Sequence, residues 1–291
     1  MDVIRERAAF TAACEAARSA GETVGLVPTM GGLHDGHRSL LDRARAAEGF
    51  VAMTLFVNPL QFGDEEDLRS YPGNLDDDLA VAAAAGCDVV FAPSRQEMYP
   101  NGDPDVTVDP GPLGSRLEGA ARPGHFRGVL TVVAKLVGLT GPCSAYFGEK
   151  DAQQLELVRR MVRDLEFPAA VVACPTVRAA DGLALASRNA RLSPAERAAA
   201  PVLFRALSAG VFVVGAGERD ASLVRAQIQE TLAAEPLSRV DYIAVVDDAT
   251  WEEADVVPEV ARLLVAATFG DVRLIDGVAA RPASATRERA E

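Results

Sequence analysis

The stretch TVGLVPTMGGLHDGHRSLLDRARAA, residues 23–47, sets the reading of the whole chain. Its first seven residues, 23–29, are apolar enough for a strand covered on both faces. A helical pattern runs from 36 to 48, with Leu40, Leu41 and Ala44 on one stripe and His37 one turn earlier on that stripe. Between strand and helix, residues 28–37 hold two of the chain's three histidines, three glycines and one proline. Glycines let backbone turn sharply and approach a ligand closely. Unpaired N–H groups at a helix N-terminus favour an anion, and two imidazoles there add side-chain donors. The spacing therefore predicts a phosphate site at the mouth of a helix. Read alone, the same residues also suit an ordinary turn with one histidine capping the helix.

Working outward, the first half alternates apolar runs with helical patterns. Strands are expected at 23–29, 50–58, 87–93, 144–149 and 169–176, and helices at 36–48, about 74–85, 125–139 and 151–164. That order predicts an α/β fold, a Rossmann-like doubly wound parallel sheet, with ligands at the carboxyl ends of its strands. After about residue 177 the pattern changes. A helix over 193–210 opens with Ser-Pro and carries Glu196 three residues after Ser193. A second helix over 219–234 and strands at 241–247 and 262–269 complete a smaller α+β domain. The expected division is 1–176 for the Rossmann-like, ligand-binding domain and 177–291 for a smaller C-terminal domain. The tail from Ala280 is expected to fray.

Composition narrows the function. The chain has 291 residues, 49% of them hydrophobic, which suits a globular protein with a sizeable core. Its net charge of −13 argues against nucleic-acid or membrane-surface binding, which use broad basic surfaces. No basic start with an apolar run suggests a signal peptide, and no charge-free apolar stretch approaches a bilayer span. Cys14, Cys87, Cys143 and Cys174 lie far apart, with no CxxC pair. They are expected to be free thiols in a cytoplasmic protein, with no metal site of the chain's own. The Asp-rich stretch 63–80 reads as a solvated loop and helix start. All but two of the 29 basic residues are arginine. Of the two lysines, Lys150 falls at a predicted ligand edge, while Lys135 sits in an apolar helix.

Other motifs end strands at the same sheet edge. FVNPLQFG, 56–63, supplies Asn58 and Gln61, neutral amides suited to hydroxyl and carboxylate groups. FGEKDAQQL, 147–155, supplies Lys150, Asp151 and Gln154. ADGLALASRN, 180–189, supplies Ser187 and Arg188 on a Gly-containing loop. There is no P-loop, no GxGxxG after a strand and no GxSxG elbow.

The combination PTMGxLHxGH, FVNPxQF, GEKDxQQL and SRN, in this order and spacing, resembles the pantoate–β-alanine ligase family of the HxGH nucleotidyltransferase superfamily. The likeness runs from about residue 20 to 200, more weakly to DYIAVVD and VRLIDG. It implies a Rossmann-like domain, a smaller C-terminal domain and a homodimer. It also implies ATP-dependent joining of pantoate and β-alanine through a pantoyl adenylate, with Mg²⁺, giving pantothenate, AMP and pyrophosphate. By this resemblance His34 and His37 bind ATP, with Met30 beside the cleft. Lys150 belongs to the nucleotide site with Gly148 and Asp151, and Val177 meets adenine through its backbone. Ser187 and Arg188 contact phosphate. Gln61 and Gln154 hold pantoate, and Asn58, Tyr71 and Arg122 surround the cleft. His34, His37, Lys150 and Arg188 are the expected catalytic groups.

Three positions depart from the family pattern. Ala186 replaces the first of two serines, Gly73 replaces an arginine after Tyr71-Pro72, and Ala152 replaces an aromatic residue. Two other readings are open at this level: an HxGH enzyme that leaves a nucleotidyl group on a phosphorylated acceptor, and a relative that binds nucleotide or pantoate without turnover.

Overall fold

The computed structural model describes the chain except Asp64, Ser70, Pro72, residues 284–291 and the side chains of Glu65 and Asp67. Pro72 and the end of the tail thus lie outside the described residues. The chain forms two compact units, Met1–Val177 and the part from Arg178 onward.

In chain order the first unit comprises β1 (Asp2–Ile4), α1 (Arg7–Ser19), β2 (Val24–Thr29), α2 (Asp35–Ala47), β3 (Phe50–Leu55), α3 (Glu65–Arg69), α4 (Leu75–Ala84) and β4 (Val89–Phe91). It continues with α5 (Arg95–Met98), α6 (Glu118–Ala121), α7 (His125–Thr140), β5 (Cys143–Gly148), α8 (Ala152–Asp164) and β6 (Ala169–Cys174). The six strands form one parallel sheet in the order β1-β4-β3-β2-β5-β6. The chain fills one side of β2 with β3 and β4, then crosses to place β5 on the other. The β2–β5 boundary is therefore the topological switch point, where open α/β sheets bind ligands.

Helix α2 packs on β2, β3, β5 and β6, while α1, α7 and α8 pack against strands and one another. Leu40, Leu41 and Ala44 of α2 join Val27, Met53 and Val90 in a buried cluster, as the stripe predicts. Asn74 caps α4, and Asp76, Asp77 and Asp78 occupy its first turn, where the helix dipole favours acidic groups. Gly128 of α7 answers a close approach: a Cβ there would lie 2.2 Å from the Leu60 carbonyl oxygen. That packing sets the turn carrying Gln61 directly on the helix.

The second unit contains α9 (Pro194–Ala199), α10 (Val202–Gly215), α11 (Ala221–Ala233), β7 (Arg239–Asp247), β8 (Ala261–Phe269) and β9 (Val272–Ala280). The strands form an antiparallel sheet, β7-β8-β9, covered by α10 and α11. Leu203, Leu207, Ile228, Leu263 and Phe269 are among its fully buried residues.

Several expectations change. The helix expected over 193–210 is two, because Pro201 has no N–H for the ladder. Its start is as read: Ser193 and Glu196 form a reciprocal capping box. The strand at 87–93 shrinks to three residues, and β1, α1 and β9 were not anticipated. Ala280 ends β9 and is 1% exposed, so the tail's first residue is anchored. The stretch Pro194–Gly215 is long and apolar enough to cross a membrane by length and composition, though not charge-free. Half of its most apolar 18-residue window is buried in the structure. All four cysteines are free.

Candidate active site

The turn between β2 and α2 is built to leave donors in place. Gly31 has φ +87°, and a Cβ there would lie 2.7 Å from Asp78 Oδ2, so both backbone and space call for glycine. Asp78, only 5% exposed, accepts from Gly32 N at 3.0 Å through Oδ2 and from Leu33 N at 2.7 Å through Oδ1. A carboxylate from the Asp-rich stretch thus pins the backbone of the histidine motif.

His34 caps α2, its Nδ1 accepting from Gly36 N at 3.1 Å. An accepting Nδ1 carries no proton, so the neutral ring bears it on Nε2. Burial, and then Lys150, lower the His34 pKa from its ordinary value. His37 is pushed down to about 3, by burial first and then by His34. The two rings lie 4.2 Å apart between centroids and tilt by 47°. His37 Nδ1 is buried and has no hydrogen-bond partner among the described residues. Both histidines are therefore neutral near pH 7. His34 is both the helix cap and half of the imidazole pair, so the two readings of the motif were not exclusive.

Lys150 stands on the short 3-10 turn Glu149–Asp151 that leaves β5, across the switch point from β2. Its ammonium bonds Asp151 Oδ1 at 3.1 Å, and its charge acts on both histidines. Gly148 ends β5, and half-buried Gln154 lies in the first turn of α8. Neighbouring Gln153 is instead structural: it binds the Leu113 and Arg116 carbonyls and the Glu118 N–H. Ala152 is 3% exposed at the start of α8.

Gln61 follows β3 on a 3-10 turn, Pro59–Gln61, and is 7% exposed. Its Nε2 donates to Met30 Sδ at 3.0 Å, joining the β3 edge to the histidine turn. Its backbone carbonyl accepts from His125 Nδ1 at 2.9 Å and from Arg122 Nη2 at 3.4 Å. A carbonyl only accepts, so His125 carries its proton on Nδ1. Its Nε2 then accepts from Arg122 Nη1 at 3.2 Å. Burial, reinforced by Arg122, pushes His125 down to about 4. Asn58 is 0% exposed. Tyr71 meets the Phe62 ring edge-on at 5.8 Å, and a Cβ on Gly73 would lie 3.8 Å from Gly32 N.

The first unit thus gathers Met30, His34, His37, Gln61, Arg122 and Lys150 through direct contacts or mutual charge effects. Val177 is its last residue. Ser187 and Arg188 belong to the second unit, half-buried on the 3-10 turn Ser187–Arg191. Their segment is anchored by Arg178, whose Nη1 and Nη2 bond Asp276 Oδ2 at 2.6 Å and Oδ1 at 2.9 Å. Arg178 also donates to the Gly182 carbonyl and lies 4.0 Å from the Phe204 ring centroid. Asn189 Nδ2 donates to the Ala184 carbonyl at 2.9 Å. Sequence reading missed Asp78, Tyr99 and His125. The signal for His125 was a third histidine in Pro-Gly-His at a helix start. Asp78 was hidden in an acidic run, and nothing singled out Tyr99.

The family model described as pantoate-beta-alanine ligase matches residues 2–279. The pantothenate synthetase of Chloroflexus aggregans is 52% identical over 261 residues, 89% of this chain and 94% of the relative. The crystal structure of pantothenate synthetase from Thermus thermophilus aligns with TM-score 0.89 at 49% identity, covering 96% of this chain and 99% of that one. Pantoate-beta-alanine ligase from Francisella tularensis, complexed with Beta-gamma ATP and Beta-alanine, aligns with TM-score 0.79 at 32% identity, covering 96% and 97%. This chain belongs to the pantoate-beta-alanine ligase family and is an enzyme of that family.

Proposed function

We propose that the chain condenses pantoate with β-alanine at the expense of ATP, through a pantoyl adenylate, releasing AMP and pyrophosphate. The observation that carries this reading is the neutral histidine pair beside Lys150 at the switch point. Neutral imidazoles donate hydrogen bonds without adding charge, and one ammonium supplies the cation. That set suits a polyphosphate whose charge shifts during transfer.

In the first step the pantoate carboxylate attacks the α-phosphorus and pyrophosphate leaves in line. Gln61 and Gln154 hold pantoate. His34, His37 and Lys150 stabilise the phosphoryl oxygens, with Met30, Gly148, Asp151 and Val177 lining the nucleotide site. Ser187 and Arg188, on the smaller lid domain, contact phosphate. Two anions that repel in water are held in reacting geometry, which is the larger part of catalysis here. In the second step the neutral amine of β-alanine attacks the acyl carbonyl and AMP departs. Tyr71 and Arg122 border the cleft, and Asn58 supports it. Among the described residues no group of three His, Cys, Asp or Glu could hold a metal. By the family resemblance Mg²⁺ enters with the nucleotide substrate, as MgATP. A homodimer follows from the family resemblance. Free cysteines fit the cytoplasm, where thiols stay reduced.

Pantoate-dependent exchange of labelled pyrophosphate into ATP, without β-alanine, tests the first step. Exchange is expected, and β-alanine should then release pantothenate. Folded protein with MgATP and no exchange would refute the adenylate reading. A nucleotidyl group retained on a phosphorylated acceptor would favour a different HxGH transferase.

A further inference from the structure

Lys135 is the lysine that the nucleotide site leaves unused, and it does not sit on open surface. Its ammonium donates to the Met98 carbonyl and stands 5.3 Å from the Tyr99 ring centroid. Tyr99 is 3% exposed and packs edge-on against Phe56 at 5.9 Å. Burial, and then Asp103, raise the Tyr99 pKa well above the usual phenol range, so its O–H remains a donor. That O–H donates to Asn58 Oδ1 at 2.8 Å. Asn58 Oδ1 also accepts from Leu60 N at 3.4 Å. Asn58 Nδ2 donates to Gln61 Oε1 at 3.1 Å and to the Gly128 carbonyl at 3.1 Å.

Every donor and acceptor of Asn58 is used, so its amide has one orientation. Reversing it would set Nδ2 against the Leu60 N–H and Oδ1 against the Gly128 carbonyl, and would take from the Tyr99 O–H its acceptor. Gln61 Oε1 is thereby turned toward Asn58 and Nε2 toward Met30 of the histidine turn, where Nε2 keeps its second N–H for substrate.

We propose that Tyr99, steadied by Lys135, is a positioning residue that acts through Asn58 to turn the Gln61 amide donor-first toward pantoate. The site then offers an N–H to an accepting carboxylate or hydroxyl oxygen, and disfavours a ligand that presents a donor there. This rests on the pantoate site proposed above. It differs from it in predicting that a buried phenol with no access to substrate controls pantoate affinity.

The test is a double-mutant cycle on the pyrophosphate exchange assay. Tyr99→Phe keeps the ring under Lys135 and removes only the O–H. It should raise the pantoate KM about tenfold, the scale of one buried hydrogen bond left unmade. The ATP KM should change less than about twofold, since the histidine turn keeps its own supports. In a Gln61→Ala background the same substitution should add less than about twofold to the pantoate KM, because the group it orients is gone. An unchanged pantoate KM in Tyr99→Phe, or an equal loss in both backgrounds, overturns the proposal while exchange by the unsubstituted protein stands. Absence of exchange in the unsubstituted protein removes the catalytic reading and the proposal together. Should Tyr99→Phe fail to fold, Lys135→Met enters the same cycle with an expected rise of about threefold. No rise there overturns the proposal as well.

Discussion

The turn after β2 and the loop that opens the second unit carry the same kind of cargo, the groups proposed above to meet an anion, yet they are held by different means. The first is pinned through its backbone: Asp78 takes two N–H groups, His34 takes a third, and Gly31 accepts a positive φ. The second is pinned through side chains, chiefly the Arg178–Asp276 pair, whose partners are 98 residues apart. A turn held through three backbone N–H groups shares its hold between Asp78 and His34. A side-chain anchor depends on two distant segments and loses its hold when one group is changed.

The largest effect should come from breaking that anchor. Asp276 is 3% exposed, and Asp276→Ala would leave the Arg178 guanidinium without its carboxylate. A buried ion left alone costs about 3–5 kcal/mol. Urea unfolding followed by Trp251, the chain's one tryptophan and a residue of the second unit, should show this loss. A shift below about 1 kcal/mol would mean the pair behaves as an exposed one.

Asp78→Asn comes next. It keeps the shape but replaces one accepting oxygen by an NH₂ that faces a backbone N–H. A loss of about 2 kcal/mol is expected from one charge-assisted bond and one new mismatch. Exchange activity should fall with it, because the turn that places His34 is loosened. Full activity in this variant would show that the turn holds itself without the carboxylate.

Acidification should then separate the two units. All three histidines lie in the first unit, and burial lowers His37 to about 3 and His125 to about 4. An unfolded histidine binds its proton near 6.5, before either buried ring does. The stabilisation is therefore complete above about pH 6.5 and is lost as pH falls toward 4, by on the order of 1 kcal/mol per pH unit for each ring. The second unit has no histidine. Its depressed carboxylates, Asp181, Asp220 and Asp247, titrate below their ordinary range, held by Arg197, by Ser222 and by backbone N–H donors respectively. Amide exchange at pH 7 and pH 5 should show lost protection in β2, α2 and α7 and little change in β7–β9. Equal loss in both would show that the units open together.

The smallest effect sharpens the comparison from the other side. Ala186→Ser restores the hydroxyl that the family resemblance leads one to expect ahead of Ser187. One added hydrogen bond, about 0.5–1.5 kcal/mol, should lower the ATP KM two- to tenfold. No change would mean that backbone N–H groups already suffice in this loop.

Part of this was open to reading in the primary structure. Near-continuous apolar runs marked β2, β3, β5 and β6, because strands covered on both faces need no polar alternation. The stripe of α2, the capping box at Ser193 and the histidine turn are local patterns, and each appears where the pattern places it. Short or edge elements escaped: β1 has three residues and two of them are exposed, so its composition carries no mark of a strand. The family motifs led to the pairing of amide and histidine groups, but not to how those groups are oriented.

The sequence alone was enough to set the central α/β order, the starts of α2 and α9 and the chemical types offered at the sheet edge, since these depend on neighbours within a few residues. Only the tertiary structure decided that Asp78 braces the histidine turn, that His125 takes the Gln61 carbonyl, and that Tyr99 reaches Gln61 through Asn58. Apart from the local Asn58–Gln61 link, those contacts join residues 41 positions apart, at Tyr99 and Asn58, to 64 apart, at His125 and Gln61. Such pairs leave no periodicity, because their meeting depends on strand order and helix packing rather than on spacing along the chain.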